Sequence, residues 1–129
     1  MEFTLKTTIK ATAKQIYKSW LSTQRHTKMT GGEAFMSDKV DEKFTDWNGY
    51  IEGKNIELEP YKKIIQLWRS NDFEDHEADS KIEVTLNETN GETELTLIHR
   101  NVPESGEHYI KGWEEQYFTP MKAYFEFLK

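Results

Sequence analysis

A chain of 129 residues is the length of one domain and can bury roughly two-thirds of its unfolded surface. Its 17 Lys and Arg against 23 Asp and Glu leave a formal net charge of −6, a field that repels nucleic-acid backbones and anionic lipid surfaces. With no cysteine, no apolar run of membrane-spanning length and no basic-then-apolar leader, the sequence excludes disulfides, thiolate chemistry and membrane insertion, and a monomeric cytoplasmic protein is expected.

Phe3, Leu5 and Ile9, with Thr7 and Thr8 between them, predict a first strand rich in β-branched residues. Thr12 and Gln15 have the spacing of a capping box, and Ile16, Tyr17, Trp20 and Leu21 give the apolar face of the helix that follows. Ser22 or Thr23 can cap a second short helix, which Gly31-Gly32 would end. Phe35-Met36 and the segment from Val40 to Trp47 are short strand candidates, and Asn48-Gly49 predicts a hairpin turn. Tyr50 to Leu58 reads as the next strand, and Glu59-Pro60-Tyr61-Lys62 as a turn with proline at its favoured second position. Lys63 to Arg69 follows. Ile82, Val84 and Leu86 alternate, Asn90-Gly91 turns, and Leu95, Leu97 and His99 alternate again.

From Glu107 to Lys129 the period changes. Ile110, Trp113, Tyr117, Met121, Tyr124 and Leu128 recur in steps of three and four, widened by Phe118 and Phe125, which is an amphipathic helix. It would run roughly 33 Å, enough to cross a sheet of about six or seven strands. Gly112 leaves room for a close approach to the sheet or to a ligand, and Pro120 predicts a bend, because it removes a donor and crowds the carbonyl of Gln116. The whole order, β-α-α, then antiparallel strands, then one long helix, is α+β. A curved antiparallel sheet of six to seven strands around a C-terminal helix is the helix-grip fold, here expected as one domain over residues 1–129.

Several stretches carry a family resemblance: Ala13-Lys14-Gln15-Ile16-Tyr17-Lys18-Ser19-Trp20 in the first helix, Ile56-Glu57-Leu58-Glu59-Pro60 after Gly53, Lys63-Ile64-Ile65-Gln66-Leu67-Trp68-Arg69, Thr93-Glu94-Leu95-Thr96-Leu97-Ile98-His99, and Gly112-Trp113. Together, in that order, they resemble the activator of heat-shock-protein ATPase homologues (AHSA1-like), within the SRPBCC superfamily of StAR-related (START) lipid-transfer and birch-pollen-allergen proteins. Many of those relatives have a tryptophan near the end of the second helix, where this chain has Met29-Thr30. The resemblance implies three kinds of function: carriage of a small hydrophobic molecule such as a lipid, sterol or polyketide, a co-chaperone interaction with a heat-shock ATPase, or an enzyme of the cyclase or aromatase type. The family's co-chaperones carry a further N-terminal domain that this sequence does not contain, which implies that this chain alone does not stimulate the ATPase.

Aromatics make up 13% of the chain, so a few large side chains must build either a filled core or a pocket lining. The resemblance favours the pocket, with Trp20, Phe35, Phe44, Ile64, Trp68, Leu95, Leu97, His99, Trp113, Tyr117 and Met121 as its expected lining. His99 is read first as a hydrogen-bonded core histidine, and second as a polar group for a ligand's hydroxyl or carboxylate. No catalytic motif is present: there is no nucleophile elbow, no phosphate-cradling loop and no pair of carboxylates on one apolar face. His26, His76, His99 and His108 lack the spacing of a metal site. Asp72, Glu74 and Glu83 fall at calcium-loop positions, but Glu77 stands where the sharp turn needs glycine, so the acidic stretch from Asp72 to Asp79 is expected to be a solvated hairpin loop. No cofactor and no metal are expected, and the function expected first is non-catalytic binding of a small hydrophobic ligand.

Overall fold

The computed structural model describes residues 1–128. β1 (Phe3–Ile9) is followed by α1 (Ala13–Leu21) and α2 (Thr23–Thr30), then by β2 (Lys43–Asp46), β3 (Ile51–Glu59), β4 (Lys63–Ser70), β5 (Ser80–Thr89) and β6 (Glu92–Arg100). A final helical segment, α3, occupies residues 108–127. The six strands form one curved antiparallel sheet in the order β1-β6-β5-β4-β3-β2, so the first strand returns beside the last. This is the α+β helix-grip architecture.

Local chemistry explains the joints. Thr12 accepts from the Gln15 backbone N–H, while the Gln15 side chain accepts from that of Thr12, closing the capping box at α1. Ser22 caps α2, and Gly31 ends it at φ 90°. Both Asn-Gly turns adopt left-handed conformations, Asn48 and Gly49 at φ 60° and 85°, Asn90 and Gly91 at 53° and 80°. In β3 the register slips between Asn55 and Glu57, a bulge that bends the strand and helps curl the sheet over the helices.

Two expected strands shorten. Phe35-Met36 contributes only an isolated bridge between Phe35 and Thr45, and Val40 to Trp47 contributes only the four residues of β2. The reason is Asn55, whose buried amide donates to Ser37 O at 2.8 Å and Lys39 O at 3.0 Å and holds that segment in a loop. Val40 stays half exposed on it, and Asp41 turns at φ 70°.

α3 is not uniform. An α-helical stretch, His108–Trp113, passes into a π turn, Glu114–Phe118, and returns to α-helix over Thr119–Phe127. Thr119 N–H bonds Glu114 O, one residue further back than in an α-helix. Pro120 cannot donate to Gln116 and would crowd it. Widening the preceding turn accommodates the proline, so the hydrogen-bond ladder slips by one residue just before Pro120. The buried stripe becomes Tyr109, Trp113, Tyr117, Met121 and Phe125, each four residues from the last. Ile110 and Tyr124, which a plain helical period places on the apolar face, are half-buried, and Leu128 is exposed. No helix among the described residues is long and apolar enough to cross a membrane.

Candidate functional site

The sheet and α2 present buried polar groups among apolar ones, and α3 bonds to them turn by turn. Tyr109 OH bonds Ser70 Oγ on β4. Trp113 Nε1–H donates to His99 Nδ1 at 3.1 Å. Tyr117 OH lies 3.0 Å from His26 Nε2. The same Nε2 is 3.0 Å from Asp46 Oδ2, while His26 Nδ1–H donates to Trp20 O at 2.7 Å, so one buried imidazole joins α1, α2, β2 and α3.

His99 completes a directional chain. Because its Nδ1 accepts from Trp113, its Nε2–H donates to Ser80 Oγ at 2.8 Å, and Ser80 Oγ–H passes the bond to Trp68 O at 2.7 Å. Only a neutral ring fits that sequence of donors. Burial, with the positive N-terminus adding to it, pushes the imidazole pKa down from 6.5 to about 3.

In front of these bonds the helix and sheet part. A cleft of about 360 Å³ opens between the first turns of α3 and the β2–β3 side of the sheet. One wall is Trp47, Tyr50 and Ile51; the other is His108, Tyr109, Gly112, Trp113, Gln116 and Tyr117; Trp68 lies between them. Gly112 lines it with nothing within 4 Å of where a Cβ would stand, so the missing side chain leaves open space. Trp47 is held over Gly32, where any Cβ would meet the indole at 2.4 Å. It is a large residue in the left-handed region, φ 49°, and among the described residues its buried Nε1 has no hydrogen-bond partner. Such costs persist where surrounding structure imposes them, and they cluster at functional sites.

At the rim, Tyr50 OH donates to Asp72 Oδ2, which also lies 3.4 Å from His108 Nε2. Burial, aided by that carboxylate, raises the Tyr50 phenol to about 12, and burial raises Tyr109 as well, so both rings stay uncharged at neutral pH. Three segments thus meet at the mouth: the β2–β3 connection, the β4–β5 loop and the start of α3.

Of the expected lining, the structure brings Trp68, Trp113 and Tyr117 to this cleft. Trp20, Ile64, Leu95, Leu97, His99 and Met121 are at most 1% exposed and form filled core behind it, because side chains from α1 and α3 meet the sheet there without a gap. Trp20 Nε1–H donates to Gln66 Oε1 at 3.2 Å rather than facing a cavity. Phe44 is buried across Gly53, where a Cβ would stand 2.7 Å from its ring, and Phe35 is 60% exposed beside the edge strand. Both border a separate, more polar groove with Lys43, Lys54, Arg69 and Asp79. The sequence reading missed Trp47, Tyr50, Ile51, His108, Tyr109 and Gln116. Tyr109 had a signal, its place four residues before Trp113; the others depend on where the Asn48-Gly49 turn lies in space. Among the described residues, no group of three or more His, Asp or Glu is placed to hold a metal ion.

Comparison with known proteins follows the same lines. A family model described as "Activator of Hsp90 ATPase homolog 1-like protein" matches residues 10–126. The human "Activator of 90 kDa heat shock protein ATPase homolog 1" is 29% identical over 126 residues, covering 96% of this chain and 37% of that protein. The mouse "Activator of 90 kDa heat shock protein ATPase homolog 2" is 30% identical over 117 residues, 89% of this chain and 35% of that protein. The chain therefore spans little more than a third of the length of these curated relatives. Among solved structures, an HSP90 activator from Plasmodium falciparum superposes with a TM-score of 0.87 at 21% identity, covering 95% of this chain and 94% of that one. The Aha1 dimer from Colwellia psychrerythraea gives 0.80 at 18% identity, with 97% and 96% covered. At these identities the two structures share the fold.

Proposed function

The chain belongs to the Activator of Hsp90 ATPase homolog 1-like family, and on that premise we propose that it binds a small, largely apolar molecule in the cleft under the first turns of α3. The observation that carries this reading is an open volume of about 360 Å³ walled by aromatic side chains in a core that is otherwise closely filled. Small-molecule sites have this character: concave, mostly apolar, with a few polar groups, here the Gln116 amide and the phenols. The strained Trp47 and the side-chain-free Gly112 keep the space open from opposite walls. Binding without catalysis is the form of the reading we favour, since the buried His99 and its partners are satisfied by one another. The occupant is of modest size.

A ligand that binds only the folded state, at a hundred times its dissociation constant, should add about 2.7 kcal/mol of stability, several degrees in melting temperature. A screen of apolar ring compounds by thermal shift and tryptophan fluorescence tests this, with Gly112→Leu as the control that fills the cleft. Hits that shift the parent and not Gly112→Leu support the reading. Shifts unaltered by Gly112→Leu, or none across the screen, overturn it.

The relatives' names favour a second reading, that the domain docks on a heat-shock ATPase. Titration of the chain into an Hsp90-type chaperone, with ATP turnover measured, tests it: reproducible stimulation at micromolar protein supports docking, and no change in turnover and no binding argue against it.

A further inference from the structure

We propose that the cleft selects an organic cation, a flat ring system bearing an alkylated nitrogen, over neutral and anionic molecules of the same shape. This rests on the reading of the cleft as a ligand site and adds the sign of the ligand's charge.

Six of the ten lining residues are aromatic: Trp47, Tyr50, Trp68, Tyr109, Trp113 and Tyr117. Ring faces carry negative electrostatic potential and attract a cation that has shed its water, tryptophan most strongly. The Tyr50 and Tyr109 phenols remain protonated and the indoles are uncharged, so this attraction needs no ionised group in the lining. Between Trp68 and Trp113 the ring centroids are 5.8 Å apart at a 39° tilt, and Trp113 and Tyr117 are 4.7 Å apart, so adjoining aromatic rings line the cleft.

The surrounding charges have the same preference. No Lys or Arg lines the cleft, and its one basic residue, His108, lies 3.4 Å from the Asp72 carboxylate at the rim. The stretch of α3 forming the wall and the residue before it carry Glu107, Glu114 and Glu115 against Lys111 alone, whose Nζ is 3.5 Å from Glu115. The chain as a whole stands at −6. A carboxylate entering this space would lose water and find no counter-charge, which is costly. A cation would find aromatic rings inside and the Asp72 carboxylate at the rim, and the chain's net negative field would steer it in. The alkylated nitrogen matters because it has no proton to leave without an acceptor. A volume of about 360 Å³ lies at the lower end for small-molecule sites, which suits about two or three fused rings and not a long acyl chain.

The test uses one ring system in three charge states: N-methylacridinium, acridine at about pH 8 where it is uncharged, and acridine carboxylate. Affinities are measured by isothermal titration calorimetry for the parent chain, Asp72→Asn and Gly112→Leu. The expected order is N-methylacridinium first, acridine about tenfold weaker, and the carboxylate weaker still. Asp72→Asn should narrow the gap between cation and neutral probe, and Gly112→Leu should abolish binding of all three. Equal affinity for the three, or a preference for the carboxylate, overturns charge selection while leaving the cleft reading intact. Binding of none overturns this proposal, and the cleft reading falls with it only if the broader neutral screen is also blank. Cation binding that survives Gly112→Leu overturns the assignment to this cleft.

Discussion

The two halves of α3 look alike on a helical wheel and differ in what lies beneath them. Over residues 108–118 the buried stripe is Tyr109, Trp113 and Tyr117, each bonded by a polar atom to Ser70, His99 or His26, with the cleft opening beside them. Over residues 119–127 the stripe continues as Met121 and Phe125, at 0% and 2% exposure, held by apolar packing alone. The front half is fixed by directional bonds, which hold a side chain at a set distance without requiring the space beside it to be filled. The rear half is held by contact, which works only where no space is left. A protein that keeps a cleft open inside a small core can do so by pinning the walls with hydrogen bonds.

The largest effects should come from removing a ring in either half. Phe125→Ala should cost about 3 to 5 kcal/mol in denaturant unfolding, the range for deleting a large buried aromatic. Trp113→Ala should cost a similar about 3 to 5 kcal/mol, since it also strands the His99 acceptor. A loss under about 1 kcal/mol at either position would mean that half of the stripe is not buried as described.

Acid should distinguish the halves next. His99 is held neutral in the folded state with its pKa near 3, whereas the unfolded ring takes a proton near 6.5. The unfolded state therefore binds more protons between those values, and this contribution is full above about pH 6.5 and lost as pH falls toward 3. Relative to His99→Gln, the parent should lose about 1.4 kcal/mol more per pH unit between about pH 6 and 4. Urea midpoints measured across that window would decide, and parallel curves for the two proteins would remove His99 from the account. Met121→Leu in the rear half should leave the pH profile unchanged.

A smaller effect should follow from Tyr117→Phe, which deletes one bond to His26 and leaves the ring in place. The expected cost is about 0.5 to 1.5 kcal/mol, the net worth of one hydrogen bond, because His26 Nε2 keeps Asp46 beside it. If Tyr117→Phe proves neutral, the front half is held by packing after all and the contrast fails. The smallest effect has the opposite sign. Gly112 is helical with free space at its Cβ position, so Gly112→Ala should stabilise by about 0.5 to 1 kcal/mol. Adjacent residues, 112 and 113, would then respond in opposite directions, and destabilisation by Gly112→Ala would show that the cleft is narrower than its geometry indicates.

Much of this architecture was written locally. The capping box at Thr12, the Asn-Gly turns and the alternation of Leu95, Leu97 and His99 each depend on neighbours a few residues away, so the sequence alone determined the element order and its antiparallel sense, though not the short β2 or the π turn in α3. The amphipathic period of the last segment likewise required that it lie on the sheet. Which residues face open space was decided elsewhere. Periodicity placed Leu97, His99, Trp113 and Met121 on inward faces correctly, yet inward faces are shared by core and cleft alike. Trp47 and Tyr50 reach the cleft only because the β2–β3 turn lies beside the start of α3, and Met121 and Phe125 stay in line with Trp113 and Tyr117 through the π turn that precedes Pro120. Those placements come from contacts between segments distant in the chain, which only the packing of the whole molecule fixes.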